Sequence, residues 1–348
     1  MPFTAQEVEN VANAMLEYHF ETPIVRSQTL QDKPLLRALR AQEKMFGGGK
    51  DNITGRVKGE YTTGIQGFEH DDTVTYSNPA NIKKWTVPWK LIHGGISFTM
   101  HEMIEAGISV LDGGIDSATH KTRSEKMRLA DILKDKIEDM AEGIDRGMNN
   151  MLWKDGTQDS KEVPGIRSFI LDDPTTATVV AGIDQSSNTW WRNRASTSIT
   201  LGDTTGDSQA VANILRTEYR QLRRFGGRPT LWLAGSDWLD RMELEAKAKG
   251  TYTDTGWANS GQIDLSVADM AFKNNAVQYD PTLDDLSLSK YLFVIDPRRL
   301  FLQVVDGENM KKHQPARPEN KYTFYRAATW VGGLTCNQRN AHGVYAFP

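Results

Sequence analysis

The chain has very little cysteine, because Cys336 is the only one among its 348 residues. A single thiol cannot form an intramolecular disulfide, so nothing in the sequence requires an oxidising compartment. One cysteine also cannot build a cysteine-based zinc cluster. We therefore expect a protein that folds in a reducing environment, with enough chain for two or three domains that bury an apolar core.

Long apolar runs are also missing. The longest series of consecutive apolar residues is the five of Tyr291 to Ile295, and the mean hydropathy is −0.52. No segment is long enough to cross a bilayer, which predicts a soluble chain. The first nine residues lack the basic start and apolar stretch of a secretory signal, so we expect no export.

The chain has no excess of positive charge. Its 41 basic and 45 acidic residues give a net charge of −4. This balance argues against a protein whose main task is to grip phosphate backbones. Nucleic acid is then at most a neighbour.

The sequence also lacks a convincing catalytic constellation. His101 and Glu105 lie four residues apart, as two zinc ligands on one helix face would, but only His120 is close in sequence as a third ligand. Gly47 to Lys50 does not have the spacing of a phosphate-binding loop. We therefore predict no catalytic residue, cofactor or metal site, and keep a metal hydrolase using His101 and Glu105 as the enzyme alternative.

The first half of the chain predicts three successive elements. Residues 8–16 have apolar positions at helical spacing, and an arm follows up to residue 49. Residues 50–95 alternate apolar and polar side chains, which predicts a long β-hairpin. One of its faces carries Trp85, Val87, Trp89 and Leu91, and these need either the chain's own body or another chain to cover them.

A long amphipathic helix follows over residues 121–153. Its apolar positions recur three or four residues apart, and charged residues occupy the other faces. They are Leu129, Leu133, Ile137, Met140, Ile144, Met148 and Met151.

The second half alternates helices and strands. A helix with an apolar face from Val211 to Phe225 ends at Gly226, a buried strand covers 231–234, and another helix runs from Ser236 to about Gly250. Residues 251–262, with Trp257, read as a loop. Further strands are predicted at 276–279, 291–295, 300–305 and 322–334, and the last two should form a hairpin. The basic cluster of Arg220, Arg223, Arg224 and Arg228 is interpreted as a solvated face or a subunit contact, with DNA binding as the alternative.

Several segments, taken in order, resemble the major capsid proteins of tailed phages, whose fold is named after the phage Hong Kong 97. The segment from Gly182 to Arg192 resembles the family's "GID-R-S…WR" segment, with Gln185 where an arginine is usual. Residues 228–238 resemble the strand and turn after the first helix of the axial domain. Residues 277–281, 291–302 and 333–344 are similar to the closing strands and the return of the chain. The resemblance covers about residues 20 to 348.

This resemblance implies an α+β chain with the Hong Kong 97-like phage capsid fold. Its parts are an N-terminal helix and arm (1–49), an extended β-hairpin or E-loop (50–95), a peripheral domain with the spine helix 121–153 (96–163 and 299–335), and an axial α/β domain (164–298 and 336–348).

The implied function is a structural protein that self-assembles into hexamers and pentamers of an icosahedral head around double-stranded DNA. An encapsulin-like compartment is the alternative with the same fold. The implied partners are copies of the chain itself, a separate scaffolding protein, a portal, a decoration protein, and packaged DNA as a non-specific neighbour. The implied location is the virion capsid, assembled in the host cytoplasm. The candidate contacts between subunits are Lys58, Tyr61, Trp85, Val87, Trp89, Leu91, Trp257, Arg220 and Arg224.

Overall fold

The computed structural model describes residues 3–4, 31–61, 63–76, 78, 81–105, 110–111, 123–200, 210–248, 271–313 and 322–348. The chain separates into two compact units. The first unit comprises Met1–Gln31, Leu91–Met148 and Val305–Val331, and the second comprises Asp32–Lys90, Asn149–Val304 and Gly332–Pro348. The predicted helix at 8–16, Trp257 and the predicted loop at 251–262 lie outside the described residues.

The strands and helices are numbered in chain order. The strands are β1 (Phe3–Thr4), β2 (Lys44–Phe46), β3 (Asn52–Lys58), β4 (Ile82–Pro88), β5 (Lys90–Thr99), β6 (Val110–Leu111), β7 (Val179–Val180), β8 (Ile183–Asp184), β9 (Arg194–Ser196), β10 (Leu231–Ala234), β11 (Ala271–Phe272), β12 (Asn275–Tyr279), β13 (Tyr291–Ile295), β14 (Leu300–Val305), β15 (Lys311–His313), β16 (Thr323–Cys336) and β17 (Gly343–Ala346). The helices are α1 (Pro34–Arg40), α2 (Met100–Glu105), α3 (Arg123–Trp153), α4 (Ala210–Arg223), α5 (Ser236–Ala248) and α6 (Pro281–Asp285). Within the described residues, no helix has the length and apolar character needed to cross a membrane.

Helix α3 confirms the predicted long amphipathic helix of residues 121–153 to within two residues. In the first unit, Ile137 and Met140 of this helix are buried, and Ile96 and Ile144 pack against them. Strand β5 passes close to the helix, because a Cβ added at Gly94 would lie only 2.3 Å from Cγ1 of Ile144. Apolar residues at helical spacing therefore hold α3 against β5.

The first unit also contains antiparallel pairing on β16. Strand β15 pairs with it between Lys311 and Thr329, and β5 pairs with it as well. The rings of Phe98 and Phe324 stack with centroids 5.3 Å apart, and both side chains are buried. Aromatic packing of this kind adds to the pairing of the backbones.

The second unit is built on a mixed sheet with the strand order β11-β12-β10-β13-β17-β9. Strand β10 is parallel to β12 and antiparallel to β13, whereas β17 is antiparallel to β13 and parallel to β9. All four residues of β10 are buried, as the apolar run predicted. The predicted hairpin of the last long strands is confirmed by the pairing of β14 with β16 from Leu300 and Cys336 to Val304 and Gly332.

Helices α4 and α5 share one apolar core with this sheet. Val211, Leu215 and Leu222 of α4 and Trp238 of α5 are buried together with alternate residues of β10 and β13. Phe225 was expected on the same face, but it is exposed. The reason is that α4 ends at Arg223 and the backbone turns away at Gly226, whose φ is +82°.

The last turn of α3 belongs to the second unit and is fixed there by buried hydrogen bonds. Trp153 Nε1 donates to Asp280 Oδ2 at 2.9 Å, and Asn149 Nδ2 donates to Thr282 Oγ1 at 2.8 Å. Asp280 also caps the short helix α6 by accepting the Thr282 N–H. Burial raises the pKa of Asp280, because the charged form is taken out of water.

A buried histidine lies near the end of the same sheet. His342 Nδ1 accepts the backbone N–H of Asp296 at 3.2 Å, and within the described residues its Nε2 has no hydrogen-bond partner. Burial lowers its pKa from the usual 6.5 to about 4, although Asp296 acts in the opposite direction. Cys336 is also buried, and burial raises its pKa to about 12.

We therefore predict a stability that falls as the pH is lowered from 6.5 towards 4. In this window the unfolded chain binds a proton at His342 and the folded chain does not, which costs up to about 3 kcal/mol of unfolding free energy. Urea unfolding of the subunit at a series of pH values should show this slope, and His342→Asn should remove most of it. His70→Asn, which changes an exposed histidine, is the matched control. A wild-type slope in His342→Asn would contradict the assignment.

Candidate assembly surface

The predicted hairpin is formed by β3 and β4. The two strands pair in antiparallel register from Asn52 and Pro88 to Lys58 and Ile82. Trp85 lies across the strand from Gly55, and a Cβ added to this glycine would approach its indole to 2.2 Å. A glycine at position 55 is therefore required for the tryptophan to lie flat over the opposite strand.

The base of the hairpin is part of the core of the second unit. Trp85 is 4% exposed and Val87 is 3% exposed, and Ile53 beside them is also buried. We expected Trp85 and Val87 to contact a neighbouring subunit. The structure corrects that expectation, because the chain's own body covers these two side chains and leaves almost no surface for a partner.

A tight turn of the same unit holds β4. The backbone N–H of Thr86 donates to the carbonyl of Ala181 at 2.8 Å. Ala181 and Gly182 form the turn between β7 and β8, with φ of 51° and 81°. This left-handed backbone favours glycine, so Ala181 is a strained position that its hydrogen bond and its neighbours maintain.

The point where the hairpin leaves the body is marked by Gly59. Its N–H donates to the carbonyl of Asn81 at 2.9 Å. A Cβ added here would lie 2.6 Å from Cε2 of Trp190, so the indole covers the glycine. Trp190 is half-buried and packs edge-on against Trp191. Trp191 is buried.

A buried guanidinium group organises the segment that holds the hairpin. Arg339 is 1% exposed. Its Nε donates to Phe169 O at 2.6 Å, and its Nη1 donates to Trp191 O at 2.9 Å and to Gln185 Oε1 at 3.1 Å. Its Nη2 donates to Asn193 Oδ1 at 3.0 Å. These acceptors are neutral, so burial lowers the pKa of Arg339 to about 10. The group stays charged at neutral pH.

This cluster explains why Gln185 stands where the resemblance has an arginine. Gln185 is buried and donates from Nε2 to Thr176 O at 3.0 Å, while its Oε1 accepts from Arg339. A second arginine at position 185 would place another buried positive charge beside the first. The preceding Asp184 accepts hydrogen bonds from Ser187 and Ser186, which lower its pKa to about 2.

Beyond Gly59 the hairpin has an exposed tip, which we define as residues 60–78. All of its described residues are exposed. Tyr61 is 82% exposed, Phe68 is 70% exposed and Tyr76 is 91% exposed. Ile65 is exposed as well. A soluble protein rarely exposes so many large apolar side chains in one place, so a cluster of this kind indicates a surface that another molecule covers.

The tip nevertheless has local order. Thr75 donates its N–H to Gln66 Oε1 at 3.1 Å, which ties the two limbs together. At the end, Asp72 Oδ2 accepts the Glu69 N–H at 2.9 Å. Hydrogen bonds within the tip therefore shape it before any partner is present.

The other candidate contacts lie in several places. Lys58 Nζ sits 4.6 Å from the ring centroid of Tyr61, at the start of the tip. Trp89 is half-buried and donates from Nε1 to Lys50 O, whereas Leu91 is exposed in the first unit. Strand β4 ends at Pro88, before Trp89. The four residues predicted to share one strand face, Trp85, Val87, Trp89 and Leu91, therefore do not lie on one strand. Arg220 and Arg224 are exposed on and just after α4.

The metal alternative has little support from geometry. His101 Nε2 and Glu105 Oε1 form an i,i+4 pair at 3.2 Å, with both side chains mostly exposed. Among the described residues, no group of three histidine, cysteine or acidic side chains is arranged to hold a metal ion. His120 lies outside those residues.

The geometry predicts a large loss of stability when an aromatic residue is removed at the base and almost none when one is removed at the tip. Trp85→Ala should lower the unfolding free energy of the isolated subunit by about 3–5 kcal/mol, because it leaves a cavity in the core. Tyr76→Ala, at the exposed tip, should change it by less than about 0.5 kcal/mol. Denaturant unfolding of the two variants measures the difference. Equal stability of the two would show that the base is not part of the subunit core.

Comparison with known proteins identifies the fold of this chain through its similarity to solved structures. Neither a protein-family model nor a curated protein matches the sequence. Solved structures do match. The Cyanophage A-1(L) capsid asymmetric unit has a TM-score of 0.64 at 14% identity and covers 93% of this chain and 94% of that chain. A structure from Gordonia phage Cozz has a TM-score of 0.53 at 12% identity, with 94% and 91% covered. The capsid of a native GTA particle has a TM-score of 0.53 at 14% identity, with 95% and 97% covered. These similarities show that this chain has the mixed α+β fold of phage capsid structures.

Proposed function

We propose that this chain is the major capsid protein of a tailed phage. It self-assembles into the hexamers and pentamers of an icosahedral head that encloses double-stranded DNA. The observation that carries the proposal is the likeness of its fold to phage capsid structures over more than 90% of both chains. Because the sequence identity is 14% or less in these three comparisons, the likeness itself establishes the fold, and the function is our inference from it.

The finer architecture in this proposal is Hong Kong 97-like. The first unit, with most of α3, takes the part of the peripheral domain. The mixed sheet of the second unit, with α4 and α5, takes the part of the axial domain. The hairpin of β3 and β4 is then the E-loop, whose base packs on its own subunit and whose tip extends to a neighbour.

The exposed tip supplies the driving force for assembly in this proposal. Its apolar side chains gain roughly 2 kcal/mol each when a neighbouring subunit covers them. Because the base is fixed by Trp85 and the Thr86 hydrogen bond, less of this energy is lost in ordering the hairpin. A closed shell repeats the contact in every subunit, so a modest free energy per contact is sufficient.

The partners and the location follow from the proposed role. The first partner is the chain itself, and a scaffolding protein, a portal and a decoration protein are further proposed partners. The particle would assemble in the host cytoplasm and the chain would reside in the virion capsid. A net charge of −4 suits a wall along which packaged DNA slides without tight binding. Such a role needs no catalytic residue, cofactor or metal. The comparisons do not favour the encapsulin-like alternative.

We predict that apolar residues of the tip are required for assembly but not for folding. The triple variant Tyr61→Ser, Phe68→Ser and Tyr76→Ser should melt like the wild type. It should form at least ten-fold fewer rings or shells, since aromatic anchors dominate interface energies and about 1.4 kcal/mol corresponds to a factor of ten. Negative-stain electron microscopy and sedimentation of purified protein measure the particles. The matched control is Glu60→Ser, His70→Ser and Asp71→Ser, which changes three polar residues of the same tip.

Two results would count against these statements. A wild-type chain that forms neither rings nor shells, alone or together with the proposed scaffolding protein, would overturn the proposed function. A triple variant that assembles like the wild type would leave the function standing but would remove the tip as its contact.

A further inference from the structure

Helix α4 and the residues just after it carry a row of exposed arginines, which we call the arginine face. Arg216, Arg220 and Arg224 follow each other at intervals of four residues, so their side chains point in a similar direction. Arg223 lies beside them, with its guanidinium group 5.5 Å from the ring of Tyr219. The arginine face consists of Arg216, Arg220, Arg223 and Arg224.

Among the described residues, no carboxylate is ion-paired with the arginine face. Glu218 of the same helix is bound by Arg194 through two hydrogen bonds of 2.7 Å. Like charges four residues apart destabilise a helix slightly. This cost would be removed if a negative surface approached from outside.

The same unit has a concentration of carboxylates at the beginning of α5 and in α6, which we call the acidic corner. It consists of Asp237, Asp240, Asp284 and Asp285. Asp284 Oδ1 accepts the N–H of Ser236 at 3.0 Å, which brings the two helices together. Asp284 also accepts the hydroxyl of Tyr279 at 2.6 Å. This hydrogen bond, with burial and the nearby carboxylates, raises the pKa of Tyr279 to about 12.

The two charged surfaces lie at opposite ends of the sheet. Strands β10 and β13 pair from Leu231 and Ile295 at one end to Ala234 and Leu292 at the other. Near the first end, where α4 leads into β10, Arg228 donates its N–H to Asp296 Oδ2 at 2.7 Å. At the second end β10 leads into α5, where the acidic corner begins. One subunit therefore presents positive charge in one direction and negative charge in the other.

We propose that the arginine face of one subunit docks on the acidic corner of the next copy in a capsomer ring. This inference rests on the proposed function and adds the partner surface. A head-to-tail contact of two different patches closes into a ring when the rotation allows it. Opposite charges on the two patches would orient the subunits and speed their encounter. Exposed Phe225 next to Arg224 supplies an apolar contact at the same place, and arginine and aromatic residues are enriched in interfaces.

A charge swap tests this contact. Arg220→Glu with Arg224→Glu should reduce rings and shells at least ten-fold in 50 mM salt, and Asp237→Lys with Asp240→Lys should do the same. The chain with all four substitutions should recover assembly, because each copy again presents opposite charges. The neutral pair Asp237→Asn and Asp240→Asn removes the two negative charges without placing lysines at the start of α5. It should give a loss of assembly that is weaker than that of the lysine pair. Lys154→Glu with Lys161→Glu is the control for reversal of two positive charges elsewhere on the unit. Melting curves show that each variant is folded.

The possible outcomes distinguish a failure of this contact from a failure of the proposed function. If the wild type assembles and the two arginine substitutions also leave assembly intact, the contact is wrong and the function stands. Folded single-face variants that are not rescued by the four-fold swap would also overturn the contact. A wild type that never forms rings challenges the function itself. Duplex DNA is the competing ligand for the arginine face, so wild-type binding to DNA that is lost in the arginine variant, with assembly unchanged, would replace our proposal.

Discussion

The burial of the Arg339 guanidinium group is the constraint on which the rest of the second unit depends. Its hydrogen bonds tie Phe169, Gln185, Trp191 and Asn193 into one cluster. That cluster fixes the segment whose outer side receives the hairpin. A buried charge that loses its acceptors is costly, so the arrangement is strongly specified. The position of the hairpin thereby depends on a group that is itself buried.

The hairpin consequently has two parts with different physical roles. Its base is covered by its own subunit, so changes there act on folding. Its tip contains local hydrogen bonds and exposes aromatic side chains, so in the proposed function changes there act on association. The proposed function needs this division, because the subunit must be stable before it meets a neighbour and must still have apolar surface to bury when it does. The arginine face and the acidic corner would add direction to an association that apolar contact alone leaves unspecific.

The sequence predicted the elements better than their surroundings. The spacing of Ile137 and Met140 located the spine helix, and the apolar run of β10 located a central strand, because burial on one side or on both leaves a periodic pattern. Alternation placed Trp85 and Val87 on one face, but it carries no information about which body covers that face. The role of Arg339 was missed because a single buried charge has no periodicity. The glutamine at position 185, where the resemblance has an arginine, was the one signal in the sequence that could have pointed to the buried charge of Arg339.

Hydrogen exchange of the free subunit and of assembled particles tests the central claim most directly. Backbone amides of the base, such as Thr86, should be protected in both states. Amides of the tip between residues 60 and 78 should exchange rapidly in the subunit and become protected in the particle, because a neighbouring subunit covers them. Particles in which the tip exchanges as rapidly as in the free subunit would contradict the account.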